Sequence, residues 1–392
     1  MNLSVMGIAV AMVIGLALWW PRGEVPNLGQ QGLDISYFDG VVRDARHDLC
    51  GDLETTSPTE CQKVQVEMSE GPDAGRVVTI ELTATNTAVP TLAVGDRVVL
   101  LHNQSALEEF RYAFADFQRA TPMWILFGIV CIAIIALGRW QGVRALVGLG
   151  VSVAALMGFL LPSLIRGNSA LGVALTGTCL IAFAALYLAH GINRNTTVAL
   201  LGTLIALAVT TVLATVFVSW THLTGLTDDS AQTLNITASA VSLRGLLIAG
   251  AIIGALGVLD DVTVTQVSAV SELHHANPAL SRVELYRRAI RIGRDHIAST
   301  VNTLVLAYAG ASLPLLLYFL QAGSSIGRVI TQEIVAVEVI RTLVGSVGLV
   351  LSVPVTTALA VLVTAPRSVP DFDRQDDQDR EHKRIPTEGL AL

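Results

Sequence analysis

The chain has 392 residues, of which 52% are apolar and 15% charged, with a formal net charge of −7 at pH 7. That balance excludes an ordinary soluble globular protein and argues against a polyanion partner such as nucleic acid. Lys63 and Lys383 are its only lysines and neither follows a glycine, so no Walker A motif is available and the chain has no direct ATP site of that kind.

Apolar runs able to cross ~30 Å of hydrocarbon as helix fall at 3–20, 122–138, 145–165, 170–189, 197–220, 246–265, 298–320 and 345–364. They predict about eight transmembrane helices in an all-α polytopic membrane bundle. The expected division is an anchor at 1–20, an external segment at 21–121, a seven-span membrane domain at 122–366 and a disordered, highly charged tail at 367–392. The first run lacks positive charge at its start, and no A-x-A-like site precedes Trp19-Trp20-Pro21. It therefore reads as an uncleaved anchor rather than a signal peptide.

Arg139, Arg144 and Arg194, with Arg282, Arg287, Arg288, Arg291 and Arg294, lie in loops on one side. The other side holds Arg166, Arg244, Arg328 and Arg341. The positive-inside rule then places both termini in the cytoplasm and residues 21–121 outside.

Residues 34–103 alternate in the manner of strands at Ile35 to Val42, Val64 to Met68, Val77 to Thr85 and Val98 to Leu101. Turn signals separate them, so a small barrel-like β domain is expected, with an OB-like form as one candidate. Residues 104–121 read as helix. The segment 21–121 carries sixteen acids against eight Lys plus Arg, which does not suit a nucleic-acid partner. A structural cap or oligomerisation module and a substrate- or partner-capturing module are both open. Cys50 and Cys61 fall in this segment, where an oxidising compartment would allow a disulfide, and two free thiols are the alternative.

The densest polar pattern lies at 246–320. Asp261, Thr265, Ser268 and Glu272 follow at helical steps of four, three and four, with Asp260 and Thr263 beginning a neighbouring stripe. Asp295, Ser299 and Asn302 repeat the pattern in the next run, flanked by Arg294, and His296, Thr300 and Thr303 run beside them. Carboxylates in a span are costly and usually face a bundle interior, so two such stripes predict a polar seam able to carry a proton or a sodium ion. The plainer reading ends a helix at Asp260-Asp261 and pairs the acids with Arg291 or Arg294.

The connector 280–293 interleaves apolar residues with arginines behind a Ser281-x-x-Glu284 start signal. An amphipathic helix on the cytoplasmic membrane face is expected. Glu338 and Arg341 stand at i, i+3 as an outer-boundary ion pair. Gly250, Gly254 and Gly257 offer a close-contact face, and Pro314 and Pro354 predict bends. No cofactor is expected. Glu272, His274 and His275 lack metalloprotease spacing, no H-E-x-x-H occurs, and the surroundings of Asp261 and Asp295 do not resemble those of an intramembrane aspartyl protease. The chain is thus not read as an enzyme.

These residues carry a resemblance. The run from Arg244-Gly245-Leu246-Leu247 through Gly254-Ala255-Leu256-Gly257-Val258-Leu259-Asp260-Asp261, then Glu272-Leu273, Asn277-Pro278, Gly293-Arg294-Asp295, Asn302-Thr303-Leu304 and Ala307-Tyr308-Ala309-Gly310-Ala311-Ser312-Leu313-Pro314 resembles the bacterial YibE/YibF family. Glu338, Arg341, Gly345-Ser346, Gly348-Leu349 and Pro354 extend it. The resemblance implies a multi-pass cell-membrane permease architecture without naming a substrate. A weaker similarity in helix order to SecD/SecF and RND-type transporters implies coupling through Asp260, Asp261, Asp295 and Asn302, and by analogy a homo-oligomer or a paired membrane partner.

Overall fold

A computed structural model describes residues 2–23, 35–50, 59–83, 90–323 and 325–364. The expected disordered tail lies outside the described residues. The chain divides into two compact units, Glu24–Gly142 and Met1–Gly23 with Val143–Leu392.

In the first unit, β1 (Ile35–Cys50), β2 (Thr59–Met68), β3 (Val77–Thr83), β4 (Arg97–Asn103) and β5 (Tyr112–Phe117) form one antiparallel sheet in the order β3-β2-β1-β4-β5. The long β1 serves two neighbours. Its first half pairs with β4 from Ile35↔Asn103 to Val41↔Arg97, and from Gly40 onward it pairs with β2, with a bulge between Val42 and Asp44. Bulges bend and twist a strand, and the sheet curls into a half-barrel. Its concave side buries Val42, Val64, Val66, Met68, Ile80, Leu92, Val98 and Leu100. A buried Gln62 fastens the loop before β4, donating Nε2 to the Leu92 carbonyl at 2.7 Å and accepting the Leu92 N–H at 2.9 Å. Gly71 (φ +91) turns between β2 and β3 directly against the Phe38 ring, a position that suits glycine alone.

Residues 104–121 are not the expected helix. A short 3₁₀ turn at Glu108–Phe110 leads into β5, which pairs with β4 from Val98↔Phe117 to His102↔Tyr112. Tyr112, Phe114 and Phe117 pack on the barrel core, so the aromatic spacing serves the sheet. Cys61 is disulfide-bonded, and the side chain of Cys50 lies outside the described residues.

The remainder is helical. α1 spans Asn2–Trp19, and α2 spans Ala120–Ala155 with a break at Arg139 (φ 51, ψ −129). A π-helical turn, Leu156–Leu160, joins α2 to α3 (Leu161–Ile165). Then come α4 (Ala170–His190), α5 (Arg194–Trp220), α6 (Asp229–Thr237), α7 (Leu243–Ala276), α8 (Arg282–Ala311), α9 (Leu313–Gln321), α10 (Ile326–Thr331) and α11 (Glu333–Thr364). Side-chain caps set several starts. Ser169, Asn193, Asp228, Ser242 and Ser281 each accept a backbone N–H at the head of α4, α5, α6, α7 and α8.

Among the described residues, five helical segments are long and apolar enough to cross a membrane, or six if α8 and α9 count as one. The expected count of eight is therefore not reproduced. Residues 120–165 form one 46-residue segment where two runs were expected, and the apolar part of α1, Val5–Trp19, is short. α8 and α9 are bent by 61° where Pro314 stands at the head of α9, as a missing N–H requires.

The helical core lies where α5, α7 and α11 meet, around Leu200, Leu207, Ile252, Leu259 and Leu349. α8 closes on it. The connector 280–293 is not a separate surface helix, because α8 runs unbroken from Arg282 to Ala311 and buries Leu285 and Ala289 in that core.

Candidate functional site

α7 has 34 residues, a length of ~51 Å at helical rise, and its acids sit midway rather than at an end. Neither Asp260 nor Asp261 pairs with Arg291 or Arg294 among the described residues, so the helix-ending reading does not describe them. The two acids take different surroundings because adjacent residues point ~100° apart.

Asp260 faces inward. Its Oδ1 is closed off from solvent and has no hydrogen-bond partner, and the side chain borders a pocket of about 300 Å³ between α2, α4 and α7. Asp261 faces outward with 70% of its side chain exposed, and its Oδ2 lies 3.9 Å from Nε2 of His296 on α8. That distance is too long for a hydrogen bond. Nε2 is otherwise buried and unbonded.

The stripes predicted from helical spacing are on the surface of the chain. Thr265, Ser268 and Glu272 on α7 are exposed, as are Arg294, Asp295, Ser299 and Asn302 on α8. Thr265 and Thr303 spend their hydroxyls on the carbonyls of Asp261 and Ser299 at 2.8 and 3.0 Å. Among the described residues, Asp261 and His296 are where the two stripes approach each other. Glu272, His274 and His275 are on the last turns of α7, and no group of three or more His, Cys, Asp or Glu residues able to hold a metal occurs among the described residues.

Behind the acids lies a buried polar thread that begins at Thr263 of the expected stripe and continues through residues with no such signal, Thr203, Gln266 and Thr357. Thr263 Oγ1 meets Thr203 Oγ1 of α5 at 2.7 Å and donates to the Asp260 carbonyl at 3.1 Å. One turn on, Gln266 donates to Thr357 Oγ1 of α11 at 2.7 Å and to the Ala289 carbonyl of α8 at 3.0 Å. Such residues hold helices together where no water competes. The signal in the sequence was the threonine content of α5 and α11, Thr203, Thr210, Thr356 and Thr357 among them.

A second polar group lies toward the opposite end of α7. Arg341 Nη1 donates to Glu338 Oε1 at 2.7 Å, and Arg341 stands beside Gly250 while the Tyr308 hydroxyl stands beside Gly254. Glu333 accepts the N–H groups of Thr224 and Gly225 at 2.6 and 2.7 Å, fastening the start of α11 to the loop after α5.

The family model described as YibE/F-like protein matches residues 126–366. That is more than half of the chain, which therefore belongs to this family. No curated protein and no solved structure matches, and the similarity to SecD/SecF and RND-type transporters has no support from these comparisons.

Proposed function

We propose that this YibE/F-like protein is a secondary transporter or exporter of the bacterial inner membrane, coupled to protons or sodium through polar residues of α7 and α8. The observation that carries this reading is the pair of acids midway along α7. One has a solvent-shielded, unbonded oxygen at a pocket and the other stands against a histidine of the neighbouring helix. Ionisable side chains in a span are costly and mark ion or substrate paths.

Protons fit this arrangement better than sodium. A hard metal cation takes several oxygen ligands, whereas Asn302 and Ser299 are exposed on α8 and the pocket at Asp260 offers one further side-chain oxygen, that of Ser152. The eight-span topology, with both termini cytoplasmic and residues 21–121 outside, belongs to this reading. It is supported by the break at Arg139, which divides a 46-residue apolar segment about twice as long as one span requires.

The exposed polar face formed by Asp261, Thr265, Ser268, Asp295, Ser299 and Asn302 is unsuited to lipid. A second copy of the chain, or a paired membrane partner, would cover it. The competing reading is a membrane scaffold whose β domain binds a partner, and it draws on the apolar side chains that domain exposes, Leu107 at 76% and Phe110 at 69%.

Flux in sealed proteoliposomes separates the two. Under an imposed proton or sodium gradient, wild type should shift the lumenal pH and the Asp260→Asn/Asp261→Asn double variant should not. Identical traces for both proteins would discard the transporter in favour of the scaffold.

A further inference from the structure

The pocket beside Asp260 has a lining that selects among cations. Its walls are Val153 and Leu156 from the α2 end, Ile181, Ala182 and Ala185 from α4, and Ile253, Leu256 and Gly257 from α7. Its two polar members are Ser152 and Asp260. Ser152 has already committed its hydroxyl proton to the Gly148 carbonyl at 3.0 Å. No Lys, Arg or His lines the cavity, and the nearest charge on α7 is that of Asp261, which has the same sign. A carboxylate oxygen shielded from solvent with neither donor nor counter-ion is destabilised until a cation or a proton meets it.

A bare metal ion finds a poor site here, since one carboxylate and one hydroxyl cannot replace its oxygen shell. An organic cation finds a good one. Its alkyl groups displace water from the aliphatic walls while its charge sits against the Asp260 carboxylate, and about 300 Å³ lies at the small end of the range for small-molecule sites. We propose that this pocket binds a small organic cation with an apolar body, an amine or a quaternary ammonium, with Asp260 as its counter-ion. Calling that cation a transported substrate rests on the transport reading, whereas its binding does not.

Tetraethylammonium is a suitable probe because its charge is permanent. Binding to the purified full-length protein in detergent is measured by calorimetry for wild type, Asp260→Asn and Gly257→Leu. Asp260→Asn removes the charge at constant shape. Gly257→Leu adds an aliphatic side chain to the cavity wall, at a position where an added Cβ meets no atom within 4 Å. Thermal melts confirm that both variants are folded.

Saturable binding by wild type, weakened about tenfold or more in each variant, is the expected result. Absence of binding by wild type, or equal binding by all three proteins, would overturn the assignment. Sodium competing as well as tetraethylammonium would also overturn it. Proton flux without tetraethylammonium binding would reject the ligand class and leave the transport reading intact, while binding without flux in proteoliposomes would do the reverse.

Discussion

Gln266 and Thr357 are hydrogen-bonded, Nε2 to Oγ1, at 2.7 Å, and the same amide reaches the Ala289 carbonyl at 3.0 Å. One buried side chain of α7 thus ties α8 and α11 together. Replacing Gln266 by Leu should lower stability by about 1 kcal/mol, the scale of interhelical hydrogen bonds in membrane bundles. Gln266→Glu should cost more, because it places a carboxylate where only a neutral amide is satisfied. Thermal unfolding of the detergent-solubilised protein reads both.

Close helix contact gives a second expectation. A Cβ at Gly202 would stand 2.2 Å from Thr356 Oγ1 and within 3.2 Å of two further atoms of that side chain, whereas a Cβ at Gly257 meets nothing within 4 Å. Gly202→Val should destabilise the α5–α11 contact by roughly 1–3 kcal/mol as overpacking. Gly257→Ala should leave the melting temperature unchanged or raise it, since alanine is the better helix former.

These two glycines show what a single sequence reveals. Apolar runs and the Ser281 start signal made helices legible, because both signals are local. The Ser281–Glu284 start was read correctly for that reason: Ser281 Oγ accepts the Glu284 N–H. Asp260 and Asp261 stood out because charge in an apolar run is rare. What escaped was contact at a distance. Nothing local distinguishes Gly202, pressed on Thr356, from Gly257, and nothing marks Gln266 as bonded across ninety-one residues to Thr357. The same limit produced the helix expected at 104–121. Only its pairing with β4 shows that Tyr112 to Phe117 is a strand.

The β domain should respond to pH through Asp73 and Tyr112, whose hydroxyl donates to Asp73 Oδ2 at 2.8 Å. That bond, aided by Arg76, holds the carboxyl of Asp73 below its ordinary value of 3.8. Burial, with the bond to Asp73, raises Tyr112 from 10.0 to about 12. The carboxylate's contribution is complete above pH 3.8 and is lost as pH falls below it. The tyrosine's contribution is complete below pH 10.0 and is lost as pH rises toward 12. Tyr112→Phe should abolish the alkaline loss and shrink the acid one. Tyrosinate absorbance and urea unfolding, compared with wild type, check each limb.

On the proposed reading, a second copy of the chain covers the exposed polar face of α7 and α8. Native mass spectrometry of the detergent-purified protein should find a dimer or larger assembly. Ser268→Trp, placed where Ser268 is exposed, should shift the population toward monomer with an unchanged melt. A monomeric wild type would remove the second copy from this account and leave a different partner chain to cover the face.

The central claim is that Asp260 and Asp261 couple charge movement to transport. Its most direct test is the transient current evoked by a pH jump on proteoliposomes adsorbed to a solid-supported membrane, with a sodium jump at constant pH as the second arm. The account predicts a current in wild type on the pH jump that is lost in Asp260→Asn/Asp261→Asn at matched protein density. A current of equal size in the double variant, or none in wild type on either jump, would contradict it.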